Sequence, residues 1–591
     1  MQGFFNIILV IDLASQTWRD EPIADEVYQN YLGGKGLATR LLLRDNPPRV
    51  DPLSPANRLI FAVGPATDIK AHGSARYGVF TKSPLTGLYT ESYSGGTTAD
   101  RISRTGYDAV VLAGASPEPV MLEISDRGVV FHPAHDLWGK DVYETEELAL
   151  KKVGKPGAAA AVIGPAGEKM ARFAIIANNK WRCAGRTGAG AVMGNKKVKA
   201  IVFHGDKRRE PADPALLAAH WNTMVERSRN NAGVAAYKKY GTTLMVKLTN
   251  EAGAFPTRYW SAGIRADWKE EISGDALLSK CRVRPSACPR CFMACTNRTE
   301  VVHGRHRGLV IDGPEYETIY AFGGLCLIKE IEEIIYLNHL CDKLGIDTIT
   351  AGNLIGFAMH ASEKGAIPDQ LPFGDADAAA DLVQKIAAQE GIGAVLAQGI
   401  VHAAREWGLE DDAVHVKGLE PAGFDPRALK GMGLAYAVSD RGACHLRATI
   451  YKPELSGTAP PDQVEGKAGL FLDFEDRATL FDTLILCRFF RDMILWDDLA
   501  VLIRAATGMD LDKAGLRRIA SNVVDLSRAF NLREGATAGQ DMLPKRLLGS
   551  KLRNSGKEIS REEVQRMVSE YYRLRGWDEN GVPPAYKEIT G

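Results

Sequence analysis

Three cysteines within eight residues, in Cys288-Pro-Arg-Cys291-Phe-Met-Ala-Cys295, and a fourth far downstream at Cys487 constrain this chain more than any other feature. Three thiolates on one short loop can cap three corners of an iron–sulfur cubane. A remote fourth closes the site and ties two distant parts of the fold together. A chain with this pattern reads as an electron carrier. Structural zinc also uses Cys-x-x-Cys, but usually with a second close pair, and the nearest one, His303-Gly-Arg-His306, is more tightly spaced than usual. Radical enzymes that cleave S-adenosylmethionine place the long gap first, the reverse of the order here. An odd total of nine cysteines in a chain this long argues against a disulfide framework. Cys183, Cys281, Cys326, Cys341 and Cys444 read as small buried hydrophobes.

The 591 residues leave room for roughly two to four domains. The 73 basic and 73 acidic side chains cancel, so charge gives no general reason to expect nucleic acid or an anionic membrane, although a local patch for a redox partner is compatible with it. The segment Met1 to Asp12 has no basic start and is interrupted by Asp12, so it reads as a first strand and not as a signal peptide. No apolar run reaches the roughly 18 residues of a membrane span. The expected location is the cytoplasm, where free thiols and an oxygen-sensitive cluster persist.

Up to about residue 208 the chain is a series of short apolar runs between Gly, Pro and Asp: Asn6 to Leu13, Arg58 to Val63, Ala109 to Leu112, Val120 to Ile124, Ala171 to Ile176 and Val198 to His204. These predict strands. After Pro211 the spacing turns helical, beginning with Ala215 to Arg227. Ile331, Ile334, Ile335, Leu340 and Leu344 predict a helix with Gly345 as its C-cap, and Asp347 then N-caps a second helix from Thr348 to Glu363. The crowding of Gly418, Pro421, Gly423 and Pro426 suggests a boundary near Lys417. The expected architecture is α+β, with a strand-rich domain at 1–208 and two mainly helical domains at 209–416 and 417–591. No internal repeat shows in the sequence.

Asp342-Lys-Leu-Gly-Ile-Asp347 and Asp482-Thr-Leu-Ile-Leu-Cys487 read as two versions of one element. A carboxylate offers paired acceptors to a fused ring with adjacent N–H and amino donors, such as a pterin; ordinary helix-end aspartates are the plainer alternative. The run Asn178 to Asn195 combines cations with glycines, and shorter glycine loops stand at His72 to Gly78 and Tyr93 to Gly96. Such loops present N–H groups to phosphates, and also serve as plain turns. Asp312-Gly-Pro-Glu-Tyr-Glu-Thr318 and Asp440-Arg-Gly-Ala-Cys-His-Leu-Arg447 supply Tyr316, Glu317 and His445 as candidate acid–base groups, or solvated loops.

Taken together, these residues resemble the tungsten-containing aldehyde ferredoxin oxidoreductase family, over most of the chain from Gly33 to Cys487. The resemblance implies a strand-rich base supporting a tungsten bis-pterin, with the helical domains closing over it and Cys288, Cys291, Cys295 and Cys487 holding a [4Fe–4S] cluster. Arg76 would lie between a pterin and the cluster. Asp342, Asp347, Asp482 and Arg447 would contact the cofactor, and Tyr93, Gly95, Arg182, Cys183 and Gly185 would serve its phosphates and a bridging Mg2+. Glu317 and His445 would flank the metal, with Tyr316 beside them. The implied reaction is oxidation of an aldehyde to a carboxylic acid with oxygen from water, the electrons passing through the cluster to ferredoxin or an iron–sulfur subunit, in a homo- or hetero-oligomer. Tungsten and molybdenum stay undistinguished. Alternatives are reduction of an aryl-CoA thioester by the same cofactor, and a non-catalytic protein stapled by metal. The chain departs from the family pattern at Tyr336-Leu-Asn-His339, which lacks the Glu of a bridging iron site, at Ile485 in place of Gly, and at Tyr93 and Cys183.

Overall fold

The computed structural model describes residues 1–590. The apolar runs form strands whose alternating side chains face two different cores. In β1 (Ile7–Asp12), Leu9 and Ile11 point into one cluster, while Ile8 and Val10 point into another. This is the period-two pattern of a strand buried on both faces.

Two six-stranded sheets make up the N-terminal region. The first holds β1, β2 (Thr17–Pro22), β3 (Leu59–Ala62), β4 (Tyr77–Lys82), β5 (Tyr89–Ser94) and β6 (Ala109–Ala113), in the order β2-β1-β6-β3-β4-β5. The second holds β7 (Val120–Ser125), β8 (Gly128–Pro133), β9 (Ala159–Val162), β10 (Ile176–Asn178), β11 (Arg182–Ala184) and β12 (Val198–Phe203), in the order β8-β7-β12-β9-β10-β11. Strand for strand the topology is identical. Each sheet has one parallel pair, β1 with β6 and β7 with β12, and antiparallel neighbours elsewhere. The sheets pack face to face through Leu9, Phe61, Val110, Leu122, Ile163 and Ile201, among others. Helices Gly34–Asp45 and Val142–Val153 cover the two outer faces. The expectation of no internal repeat is therefore corrected. The halves share topology but little sequence, because a buried strand specifies apolarity more than identity.

Each half ends its third strand on a short match, Val63-Gly-Pro-Ala66 and Ile163-Gly-Pro-Ala166, and there it receives the end of a helix from the C-terminal region. A Cβ on Gly64 would lie 2.2 Å from the Leu484 carbonyl oxygen, and one on Gly164 2.4 Å from that of Leu344. The helices Lys467–Leu484 and Ile331–Leu344 both stop on a left-handed residue, Ile485 (φ 55°) and Gly345 (φ 82°). After each stop the chain bonds back in the same way: Cys487 N–H to the Gly73 carbonyl at 2.9 Å, and Asp347 N–H to that of Phe173 at 3.3 Å. The two Asp-initiated motifs are thus equivalent elements seated on equivalent half-bases. Ile485 keeps the turn that glycine makes in the other copy despite the strain of a β-branched residue there, and its side chain packs on Gly34.

The expected strand Ala171 to Ile176 is corrected: only Ile176 joins a sheet. Before it, Ala174 bridges to Ile346 and Ile175 N–H bonds the Gly345 carbonyl. The run is apolar because it is buried under that motif. The helices Pro214–Arg229, Ile331–Leu344 and Thr348–Glu363 stand where periodicity and caps put them. Strands β13 (Cys281–Ser286), β14 (Thr296–Val301) and β15 (Val310–Asp312) form a small antiparallel sheet. Among the described residues no helix is long and apolar enough to cross a membrane.

Gly64→Ala is expected to lower thermal stability by about 1–3 kcal/mol, because the new methyl group meets a backbone carbonyl that cannot yield. Gly469→Ala, exposed on a helix with open space around it, is the control. It is expected to be neutral or to stabilise by up to about 1 kcal/mol. Equal melting temperatures for the two variants would refute the seating.

Candidate functional site

The β13–β14 hairpin closes on the pair Ser286 and Thr296, and its loop carries Cys288, Cys291 and Cys295. Cys487 arrives from the helix end described above. All four thiols line one cavity of about 250 Å³, and among the described residues no three His, Cys, Asp or Glu side chains converge as a single ion would require. Burial, then Cys487, pushes the Cys291 thiol up to about 11, and burial, then Cys487 and Glu315, raises Cys295 well above its ordinary value. Thiols so placed ionise only against strong positive charge, which the irons of a cluster provide. Gly95 is the close-approach position here: a Cβ there would lie 3.1 Å from Cys288 Sγ.

Arg76 bridges this cavity to its neighbours. Its Nη1 lies 3.7 Å from Cys487 Sγ, and its Nη2 donates to the Tyr93 carbonyl at 3.1 Å. Burial opposes its charge, but Cys487 and then Cys288 outweigh that and raise its pKa. Arg182 donates to Thr296 Oγ1 at 2.8 Å and pairs with Asp312 at 3.3 Å. Cys183, whose thiol burial pushes up to about 12, lines the same cavity.

Two further chambers adjoin at Arg76, Gly185 and Arg186, one of about 360 Å³ and one of about 160 Å³. Asp482 lies on the smaller. It pairs with Arg447 at 2.7 Å and Arg488 at 2.5 Å, and Arg447 and Lys35 meet again on Glu91, which is fully buried. Burial works against the Asp482 charge, but Arg488, then Arg447 and Lys35, hold its pKa below the usual value. The Tyr93 hydroxyl donates to Glu91 at 2.7 Å. Asp342 and Asp347 lie on the larger chamber. Asp342 accepts from Asn338 at 2.7 Å and has no cationic partner among the described residues, and burial raises its pKa well above the ordinary range. Asp347 caps the amides of Ile349 and Thr350 and pairs with Arg186 at 3.2 Å.

Glu317 and His445 meet in the larger chamber at 3.5 Å, brought from a helical turn at Tyr316–Thr318 and a loop more than a hundred residues away in sequence. Glu317 accepts from Gly423 N–H at 2.9 Å. Burial pushes its carboxyl up to about 7, against the pull of that N–H and of Arg186. Burial, then Arg186, Arg441 and Arg491, drives His445 well below its ordinary value, so its imidazole is neutral at pH 7. Glu317 Oε1 and His445 Nδ1 are buried without a hydrogen-bond partner among the described residues. Tyr316 lines the chamber, while its hydroxyl donates to the Gly423 carbonyl and lies 3.1 Å from Thr249 Oγ1.

Sequence reading missed Lys35, Glu91, Arg186, Arg441, Arg488 and Arg491 as site residues. Arg186 and Arg441 lie inside the motifs read above, Lys35 lies in the Gly33-Gly-Lys-Gly-Leu37 stretch where the resemblance begins, and Arg488 follows the fourth cysteine; Glu91 carried no signal. The buried guanidinium groups of Arg186, Arg441, Arg447, Arg488 and Arg491 each keep at least one N–H without a partner. Unpartnered cationic donors are costly to bury, so this lining suits an occupant rich in anionic oxygens. The residues present therefore fit a phosphate-bearing pterin beside a cluster.

The family described as "Aldehyde ferredoxin oxidoreductase, N-terminal domain" matches residues 8–205, and that described as "Aldehyde ferredoxin oxidoreductase, domains 2 & 3" matches residues 219–588. The chain is 37% identical to the tungsten-containing aldehyde ferredoxin oxidoreductase of Pyrococcus furiosus, over 99% of this chain and 98% of that one. It is 36% identical to the protein of the same name from Thermococcus kodakarensis, with the same coverage. Among solved structures, the active-site complex BamBC of benzoyl coenzyme A reductase with 1,5-dienoyl-CoA superposes with a TM-score of 0.86 at 25% identity, over 100% of this chain and 97% of that one.

Proposed function

Because the chain belongs to the aldehyde ferredoxin oxidoreductase family, we propose that it oxidises aldehydes to carboxylic acids with water as the oxygen source, releasing two electrons and two protons per aldehyde. The observation that carries this reading is the Glu317–His445 pair, 3.5 Å apart and buried in a chamber that abuts the four-thiol cavity.

A tungsten bis-pterin bound here would supply the two-electron acceptor, and a [4Fe–4S] cluster would pass electrons on singly. Asp342, Asp347, Asp482 and Arg447, with the orphaned guanidinium groups of Arg186, Arg441 and Arg488, would hold the pterins. Arg76 would stand between pterin and cluster, and Cys288, Cys291, Cys295 and Cys487 would hold the cluster. The backbone at Tyr93, Gly95, Arg182, Cys183 and Gly185 would serve the phosphates. A phenol and a thiol are poor magnesium ligands, so Tyr93 and Cys183 would act on a bridging Mg2+ through carbonyl oxygens.

Glu317, with a carboxyl that titrates near neutrality, takes the proton from water or from the aldehyde hydrate. Neutral His445 hydrogen-bonds the substrate oxygen, and the aromatic wall excludes bulk water. The acceptor in this reading is ferredoxin or an iron–sulfur subunit. A second reading, reduction of an aryl-CoA thioester, draws on the likeness to the benzoyl coenzyme A reductase complex. A steady-state assay decides between them. Anaerobic enzyme should reduce two equivalents of a one-electron acceptor per aldehyde and place 18O from labelled water in the acid. Turnover of an aryl-CoA thioester alone would favour the second reading.

The proposal also fixes a pH dependence. The base must be ionised, so kcat/KM for aldehyde should rise with pH through a midpoint near 7 and level off above it. A profile flat between pH 5 and 9 would remove Glu317 from that role.

A further inference from the structure

Beyond Glu317 and His445 the larger chamber continues against Tyr237, Phe424, Tyr451 and Arg491. The Phe424 ring lies 5.7 Å from that of His445 and stacks on Tyr451 at 4.1 Å. Behind them Arg491 is 7% exposed. Its Nη1 donates to the Arg488 carbonyl at 2.7 Å and its Nη2 to the Tyr451 hydroxyl at 3.3 Å, while its Nε is buried with no partner.

The other guanidinium groups of this chamber each face an acid or a thiol, although Arg186 and Arg488 also keep a free N–H. Arg186 pairs with Asp347 and Glu420, Arg488 with Asp482, and Arg76 faces Cys487. Arg491 forms no ion pair among the described residues, although it feels the charge of Asp492, whose carboxylate pairs with Lys452. A buried guanidinium N–H without an acceptor carries a desolvation cost, which a carboxylate accepting that N–H would offset. Phe424 and Tyr451 offer stacking surface between that cation and the reacting pair.

We propose that Arg491 binds an anionic group on the substrate, so that the chamber selects planar aldehydes carrying a carboxylate about one aromatic ring away from the carbonyl carbon. This rests on the aldehyde-oxidation reading of the same site. Arg491 is then a specificity-determining residue, with the chemistry left to Glu317 and His445.

The test compares kcat/KM of the cofactor-loaded enzyme for 4-formylbenzoate and 4-methylbenzaldehyde in wild type, Arg491→Lys and Arg491→Met. Wild type should prefer 4-formylbenzoate. Arg491→Met should lose about 10- to 100-fold on it and less than about threefold on the neutral aldehyde. Arg491→Lys should recover part of the loss on the anion alone. No preference in wild type, or equal losses on both aldehydes, would overturn the proposal and leave Arg491 a brace for the Arg488 carbonyl. Calorimetric binding of terephthalate to the same proteins reads the anion site without turnover. Terephthalate binding present in wild type and lost in Arg491→Met supports the site even if neither aldehyde is oxidised, in which case the oxidation reading fails alone. Equal binding in both, or none in wild type, overturns the inference.

Discussion

Glu317→Gln is expected to lower kcat for aldehyde oxidation by about 10²- to 10⁴-fold while leaving the iron, tungsten and pterin content at the wild-type level. Glutamine keeps the size of the side chain and an oxygen that can still accept from Gly423 N–H, now 2.9 Å from Glu317 Oε2. What it loses is the ability to take a proton. The carboxyl is tuned for that task, since burial raises it to about 7 while His445, its neighbour at 3.5 Å, is kept neutral. The substitution also removes a titrating group, so whatever activity remains should lack the rise through pH 7. Rapid-mixing reduction of the enzyme by aldehyde, together with metal analysis of the same sample, checks both points. Wild-type kcat in a fully loaded Glu317→Gln enzyme would leave the carboxylate without a part in the chemistry.

Cys487→Ala is expected to abolish turnover with one-electron acceptors and to remove the four-iron signal from the electron paramagnetic resonance spectrum of the reduced protein. Cys487 is the ligand that links the hairpin loop to the C-terminal region, and its amide is bound to the Gly73 carbonyl at 2.9 Å. Its loss leaves Cys288, Cys291 and Cys295 to hold an incomplete site, and leaves Arg76 without its sulfur neighbour at 3.7 Å. Cys326→Ala serves as the control, because that thiol is buried among the helices against the Ala321 and Gly352 carbonyls. It should keep the signal and the activity. If Cys487→Ala retains a four-iron cluster, the ligand set has been misread.

Features with a local physical signature were legible in the sequence. The helices at Ile331–Leu344 and Thr348–Glu363 announced themselves by apolar spacing, the Gly345 stop and the Asp347 cap. The cysteine spacing pointed to a multi-iron site and not to a single ion. The duplicated base was invisible, because its two halves share strand order and handed turns while their side chains have diverged; only Val63-Gly-Pro-Ala66 and Ile163-Gly-Pro-Ala166 survive as a trace. β4 and β5 were missed because their polar residues, such as Lys82, Glu91 and Ser94, read as surface although they are buried. Lys35 and Glu91 were missed for the same reason. Their partners Asp440 and Arg447 lie hundreds of residues away, and no window of sequence brings them together. The run Ala171 to Ile176 misled because burial under a loop and burial in a sheet ask for the same apolar residues.

The most direct test of the account is metal and pterin analysis of protein purified without oxygen. Such protein should hold about four iron atoms and about one tungsten per chain, with released pterin and a cluster spectrum that disappears in Cys487→Ala. Zinc bound without iron or pterin would contradict it, and would leave the four cysteines as a structural staple.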